Sequence, residues 1–90
     1  MHPQTPNDPY ALALAALAAT LSDDRRAQRF IELTGIGTEE LRRRAGEPRL
    51  LSALIGFLEA HEPDLVAVSE QIGVKPDALV AARRSLEEEE

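Results

Sequence analysis

Residues 66–84, VAVSEQIGVKPDALVAARR, have the layout of two helices joined by a tight glycine turn. Gly73 lies between the apolar residues Ile72 and Val74, and Leu79 follows six residues after the glycine. Glycine after an apolar helical stretch is typical of a helix that ends in the left-handed conformation. The fold is therefore expected to be organised around a helix-turn-helix unit in this stretch.

An earlier stretch, residues 28–46 (QRFIELTGIGTEELRRRAG), repeats the layout 38 residues upstream. Gly35 corresponds to Gly73 and Leu41 corresponds to Leu79. Each half of the chain then reads as a long helix followed by helix, glycine turn and helix. The pattern is consistent with a degenerate duplication of a three-helix unit, with structural turns at Gly35, Gly46 and Gly73.

Helix starts are marked by a proline that follows a charged residue, because proline suits the first helical position, where its missing N–H would be unpaired anyway. Such pairs occur at positions 8–9, 47–48, 62–63 and 75–76, and Ser22 and Thr38 are the expected caps of two further helices. The predicted helices span about 9–21, 23–34, 39–45, 48–60, 63–72 and 76–86. No stretch alternates with period two, so no strand is expected. The sequence predicts an all-α fold, a small orthogonal bundle of five to six short helices.

The core is expected to form around the first and fourth of these helices. The first is apolar all round and is therefore expected to be a buried core helix, with alanines that let its neighbours approach closely. Its large residues form one stripe: Tyr10, Leu14, Leu17 and Leu21. The fourth carries two adjacent apolar stripes, and Leu54 lies inside this wide face. Leu54 is therefore predicted to be fully buried against the first helix.

Ninety residues make one domain. Residues 1–7 are expected to form a disordered arm, residues 8–86 a single helical domain, and residues 87–90 a frayed tail whose four glutamates oppose the helix dipole. The longest apolar run, residues 10–19, is shorter than the about 20 residues that span a bilayer. No basic region precedes it, so we expect a cytoplasmic protein with no membrane partner.

The residue pattern offers no chemistry for catalysis. The chain has no cysteine, and neither His2 nor His61 has a neighbouring nucleophile or carboxylate cluster at a spacing that defines a site. No metal-binding spacing and no glycine-rich phosphate loop occurs. We therefore predict no catalytic, cofactor-binding or metal-binding residue, no cofactor, and a protein that is not an enzyme.

Two segments resemble nucleic-acid-binding motifs, although the net charge of −6 repels phosphate. Residues 66–84 resemble a DNA-binding helix-turn-helix, whose contacts here would be Lys75, Arg83 and Arg84. The start of its second helix offers aspartate and alanine, which read base edges poorly. Residues 33–37 (LTGIG) resemble the hairpin of helix-hairpin-helix proteins, but two glutamates follow closely and Leu41 stands where that motif takes a small residue.

Four segments resemble a family of short bacterial proteins known only as a domain of unknown function. They are residues 30–36 (FIELTGI), 41–48 (LRRRAGEP), 50–58 (LLSALIGFL) and 71–74 (QIGV). The resemblance covers about residues 10–86. It implies a small, cytoplasmic, all-helical domain with no assigned activity, and it supplies no site residue.

The sequence thus favours a non-catalytic protein-interaction or regulatory module. Its partner would be an unknown protein, and the chain itself would be a monomer or a weak homodimer. The alternative is a weak DNA-binding protein that uses residues 66–84.

Overall fold

A computed structural model of the chain describes residues 8–89 and contains six helices. Their order is α1 (Pro9–Leu21), α2 (Asp24–Thr34), α3 (Thr38–Arg44), α4 (Pro48–Glu59), α5 (Glu62–Ile72) and α6 (Pro76–Glu88). Between residues 8 and 89 there is no strand. The all-α fold of short helices predicted from the sequence is confirmed. The expected disordered arm, residues 1–7, and Glu90 lie outside the described residues.

Proline lies at the first or second position of four of the six helices, and α5 begins one residue before its proline, at Glu62. Asp8 caps α1, because its carboxylate accepts hydrogen bonds from the backbone N–H groups of Tyr10 at 3.0 Å and Ala11 at 3.4 Å. The residues before α4, α5 and α6 make no such side-chain bond. At these three starts the fixed backbone of proline acts without a side-chain cap.

Two predicted caps are wrong. Ser22 ends α1, where its hydroxyl donates to the carbonyl of Ala19 at 2.8 Å, and Asp23 caps α2 by accepting from the N–H of Arg26 at 3.0 Å. Thr38 is itself the first residue of α3, and the capping position belongs to Gly37, which has no side chain to accept a bond. Each error is a shift of one residue, because a neighbour occupies the extended backbone conformation that a cap requires.

The two matching glycine turns adopt the same backbone conformation. Gly35 has a φ of 73° and Gly73 a φ of 79°, and within residues 8–89 they are the only residues with positive φ. The N–H of Gly35 donates to the carbonyl of Ile31 at 2.8 Å, and the N–H of Val74 donates to that of Ser69 at 2.9 Å. Gly46 lies in the turn between α3 and α4 without the left-handed conformation.

Helix α4 is at the centre of the core and packs against α6, α1 and α5. Its buried apolar side chains come from both predicted stripes: Leu50, Leu51, Leu54, Ile55, Phe57 and Leu58. Leu54 is fully buried, and α4 packs on α1 as predicted. The second major neighbour of both helices is α6, which buries Leu79, Ala82 and Leu86.

Helix α1 is central as predicted, but it is not buried all round, and of its stripe of large residues only Leu17 is fully buried. The residues that α1 buries are mainly small: Leu12, Ala13, Ala16, Leu17, Ala19 and Thr20. Tyr10 and Leu21 are half-buried, and Leu14 is 41% exposed. The alanine face turns inward because small side chains let α4, α5 and α6 all pack against one helix. The larger Leu14 is left on the outer side.

Helix α3 is attached to the bundle more loosely than the others. It forms no extensive contact with any one other helix, and Leu41 is its only buried residue. Arg44 pairs with Glu40 at 3.1 Å within α3 and with Glu47, just before α4, at 2.9 Å. One leucine and one ion-pair network therefore hold this helix in place.

Helix α6 continues through Glu88, two residues beyond its predicted end. The hydroxyl of Tyr10 donates to a carboxylate oxygen of Glu89 at 2.6 Å, so the end of the described chain lies beside the start of α1. Fraying of residues 87–90 stays a prediction.

Candidate interaction surface

An apolar groove lies between α1 and α3 and encloses about 290 Å³. We call it the α1–α3 groove, and its lining residues are Leu14, Leu17, Ala18, Leu21, Thr38, Leu41, Arg42 and Ala45. Six of these eight side chains are alanine or leucine. Its volume is near the lower limit of small-molecule sites, about 300 Å³, and it offers few polar groups to orient such a ligand. The groove is better suited to apolar side chains of a protein.

The groove continues onto an outer face of α1 that carries no charge. This α1 face consists of Ala11, Leu14, Ala18 and Leu21, of which the first three are exposed. Their spacing of three, four and three residues is that of the a and d positions in a coiled coil. Helix α1 has no Asp, Glu, Lys or Arg at any position. A surface helix normally turns a polar face to water, so an uncharged outer face lacks its usual solvation.

Arg42 lies beside the C-terminal half of the α1 face. Arg42 lines the groove and is 72% exposed, and its contact with Glu39 at 3.5 Å is between two well-solvated groups. Such exposed pairs contribute little, so Arg42 remains able to meet another carboxylate. Arg43 is exposed and forms no ion pair with the rest of the described chain. Arg43 lies about 150° around α3 from the residues that line the groove, so we call Arg42 alone the basic end.

Carboxylates lie beside the N-terminal half of the same face. Tyr10 holds Glu89 there, and Asp8 and Glu88 are also exposed at this end of α1 and of α6. The hydrogen bond to the Glu89 carboxylate, followed by burial, raises the pKa of the Tyr10 hydroxyl. We call Glu88 and Glu89 the acidic end. The α1 face therefore runs between groups of opposite charge.

A second groove, of about 450 Å³, lies between α2 and the end of α4 and is less suited to binding. Its cation is already engaged, because Arg29 bonds Asp64 at 2.7 Å and stands 5.2 Å from the centre of the Phe57 ring. The edge-to-face packing of Phe57 on Phe30 fixes this wall. Leu33, 71% exposed, lies at the rim of this groove and is a useful comparison for Leu14.

The sequence profile of the family described as "Protein of unknown function (DUF3572)" matches residues 6–89. The chain belongs to the DUF3572 family. The resemblance identified from its turns and core residues is thereby confirmed. No curated protein and no solved structure matches this DUF3572 chain.

Among the helices between residues 8 and 89, none combines the length and apolarity that crossing a membrane requires. In the same part of this DUF3572 chain, no three His, Cys, Asp or Glu side chains are grouped so that they could hold a metal ion. His61 is exposed at the capping position of α5 and makes no side-chain capping bond.

The three residues considered for DNA contact do not form one basic surface in this DUF3572 chain. Arg83 donates hydrogen bonds to the carboxylate of Glu59 in α4. It also donates to both carboxylate oxygens of Glu87, each at 3.0 Å, and the two carboxylates raise the pKa of Arg83. Lys75 and Arg84 are exposed. On the outer face of α6, Arg84 stands in a row with two acidic residues at helical spacing: Asp77, Ala81, Arg84 and Glu88. This face attracts phosphate poorly.

The hairpin reading of residues 33–37 also meets competing contacts. The N–H of Ile36 is not free to hold a phosphate, because it donates a hydrogen bond to the hydroxyl of Thr34 at 3.2 Å. Of the three arginines that follow, Arg44 is engaged by two glutamates that raise its pKa. Leu41 is buried, so its side chain is a core contact of α3.

Sequence reasoning missed an ion-pair network that ties α2 to α5. Asp64 receives Arg29 at 2.7 Å and lies 3.8 Å from Arg26, whose guanidinium also contacts Asp23 at 3.4 Å. The N–H of Arg26 bonds the Asp23 carboxylate and lowers the pKa of Asp23. In the sequence, this network was indicated only by the arginines at positions 26 and 29, which lie on one side of a helix. Their partner Asp64 is 35 residues from Arg29, and no local pattern identifies it.

Proposed function

We propose that this protein is a non-catalytic protein-interaction module that binds its partner through the α1 face and the α1–α3 groove. The observation that carries the proposal is Leu14, 41% exposed on a helix without a single charged residue and beside an apolar groove. Burying apolar surface stabilises a complex by about 25 cal/mol for each Å² removed from water. A contiguous apolar surface of this kind is a common mark of an interaction site.

The titratable groups support a non-catalytic role. Among residues 8–89, the shifted pKa values belong to Tyr10, Asp23, Arg44 and Arg83, and each shift comes mainly from a hydrogen bond to another residue of the fold. Catalytic sites instead bring perturbed groups together in a cleft. The groups here are spread over the helices, where they hold elements of the fold together.

The test is site-specific photo-crosslinking in the cells that naturally produce the protein. A photoreactive amino acid is placed at position 14 in one variant and at position 33 in the other. Both positions carry exposed leucines, but only Leu14 belongs to the α1 face. The adducts are separated by mass and their second component is identified.

We expect a discrete protein adduct from position 14 and none from position 33. This result would support the proposed interaction surface whichever protein the second component proves to be. No adduct from position 14, or the same set of adducts from both positions, would contradict the proposed interaction surface.

A further inference from the structure

Building on the proposed function, we propose that the partner on the α1 face is a second copy of this chain, packed antiparallel across a two-fold axis. Such an interface is self-complementary, since each copy offers the same surface to the other. The proposal rests on the charges at the two ends of the α1 face and on the apolar residues between them.

The apolar part of the α1 face is suited to pairing with itself. Leu14 and Leu21 alternate with Ala11 and Ala18 at the spacing of a coiled-coil seam. When two such seams pack antiparallel, leucines of one copy can lie over alanines of the other. The pair then removes Leu14 and the open side of the α1–α3 groove from water in both copies.

The charges favour the antiparallel direction. In that arrangement, the basic end of one copy, Arg42, meets the acidic end of the other, Glu88 and Glu89. The contact is made twice, once at each end of the seam. In a parallel pair the acidic ends would instead lie together and repel, and so would the basic ends.

Both charged ends lie on the same side of α1, as a two-fold axis requires. Tyr10, which holds Glu89, falls in line with Leu17 and Leu21, which border α3, because their spacing is close to whole helical turns. The two-fold axis is perpendicular to the plane that contains the two α1 helices. This side of α1 therefore points in the same direction in both copies. The basic end of one copy thus faces the acidic end of its partner.

The distribution of charge along the chain is in keeping with this pairing. Seven of the ten Lys and Arg residues lie at positions 25–49, which hold only four of the sixteen Asp and Glu residues. The two ends of the seam are about 16 Å apart at 1.5 Å per residue. This distance exceeds the Debye length of about 8 Å at physiological salt, so each end responds to the charge that faces it.

The test measures the mass of the full chain in solution by sedimentation equilibrium through the micromolar range. We compare the wild type with Leu14→Glu, with a basic-end variant (Arg42→Glu) and with an acidic-end variant (Glu88→Lys, Glu89→Lys). All substituted side chains are exposed, and circular dichroism verifies that each variant keeps its helices. Leu33→Glu is the matched control outside the surface.

We expect the wild type and Leu33→Glu to dimerise, and Leu14→Glu to remain a monomer. Each charge variant alone places like charges at both ends of the seam, so its dimer should be weaker by about tenfold or more. Mixing the two charge variants restores opposite charges at both ends. The equimolar mixture should therefore form a heterodimer at concentrations where each variant by itself is mostly monomeric.

A wild type that stays monomeric through this range would overturn the inference, and so would dimers that Leu14→Glu leaves unchanged. Charge variants that dimerise as the wild type does, or a mixture that stays monomeric, would rule out the antiparallel arrangement. If one charge variant loses its helices, the other charge variant and Leu14→Glu decide the outcome. A crosslink from position 14 to a different protein would contradict the second copy and leave the proposed function intact.

Discussion

Single residues at the ends of the described chain do more than their positions in the sequence indicate. Tyr10 and Glu89 are 79 positions apart, yet their side chains share a hydrogen bond of 2.6 Å. The contact gives the acidic end a fixed place beside α1. Since Tyr10 is the only tyrosine and the chain has no tryptophan, its ionisation can be followed by ultraviolet absorbance without interference.

The first prediction concerns this tyrosine. In the folded protein the pKa of Tyr10 is raised above its ordinary value, chiefly because the hydroxyl donates to Glu89. A raised pKa means that the bond stabilises the fold fully below the unfolded pKa of about 10, and that this contribution is lost as pH rises through the folded pKa. We expect Glu89→Gln to lower the pKa measured by spectrophotometric titration.

Glu87→Gln is the matched control, because Glu87 bonds Arg83 and makes no contact with Tyr10. It should leave the tyrosine titration where it is in the wild type. Identical titration curves for the wild type and Glu89→Gln would show that the carboxylate does not hold the hydroxyl.

At the scale of helices and turns, three glycines can be compared by the same substitution. Gly35 and Gly73 have positive φ, whereas Gly56 lies within α4, and a Cβ atom at any of the three meets nothing within 4 Å. We expect Gly35→Ala and Gly73→Ala each to lower the free energy of unfolding by about 1–2 kcal/mol, the cost of a left-handed backbone for alanine. Gly56→Ala should raise it by about 0.5–1 kcal/mol, since glycine weakens a helix interior.

Urea denaturation of the three variants and the wild type measures these differences. The opposite signs are the decisive feature, because a general effect of adding a methyl group would change all three alike. Stability gained at position 35 or 73 would contradict the left-handed turn at that glycine.

The boundaries of the helices were largely predictable, because proline and glycine act on the backbone locally. The caps at Ser22 and Thr38 were misassigned because an adjacent residue, Asp23 or Gly37, takes the extended backbone conformation of the capping position. The buried face of α1 was not predictable by periodicity. Where nearly every residue is apolar, as in α1, the pattern cannot select a face, and packing against α4 and α6 decides it.

At the scale of the whole molecule, Leu54 tests the core that α4 organises. It is completely buried, so Leu54→Ala removes transfer free energy and leaves a cavity. We expect a loss of about 2–5 kcal/mol, a large part of the roughly 5–15 kcal/mol that stabilises a small domain. Thermal unfolding followed by circular dichroism measures the change.

Leu33→Ala removes the same atoms from a side chain that is 71% exposed, and it should cost less than about 0.5 kcal/mol. Equal losses at the two positions would mean that Leu54 is not a core residue.

The molecule as a whole should not bind random duplex DNA at physiological salt. Its net charge is −6, and the outer face of α6 carries Asp77 and Glu88 beside Arg84. We expect no electrophoretic mobility shift at micromolar protein. Asp77→Lys with Glu88→Lys turns that face basic, so this variant should bind and demonstrates the sensitivity of the assay. A shift by the wild type that Lys75→Ala with Arg84→Ala abolishes would favour the helix-turn-helix alternative.

The candidate site was much less predictable from the sequence than the fold. Helix α1 was expected to be buried as a whole, and the exposure of Leu14 depends on which side of α1 the other helices occupy. The basic and acidic ends come from positions more than 40 residues apart. Only the packing of α3 and α6 around α1 brings both beside one face.

The loose attachment of α3 determines where a protease should first cut the folded protein. Leu41 is the only residue that α3 buries, so α3 loses little on detaching and should open locally well before the bundle unfolds. Its last turn presents Arg42, Arg43 and Arg44 in succession, each a cleavage site for trypsin. Limited proteolysis should therefore cut the folded protein there first. Because α3 is also one wall of the groove, a bound partner should slow that cut.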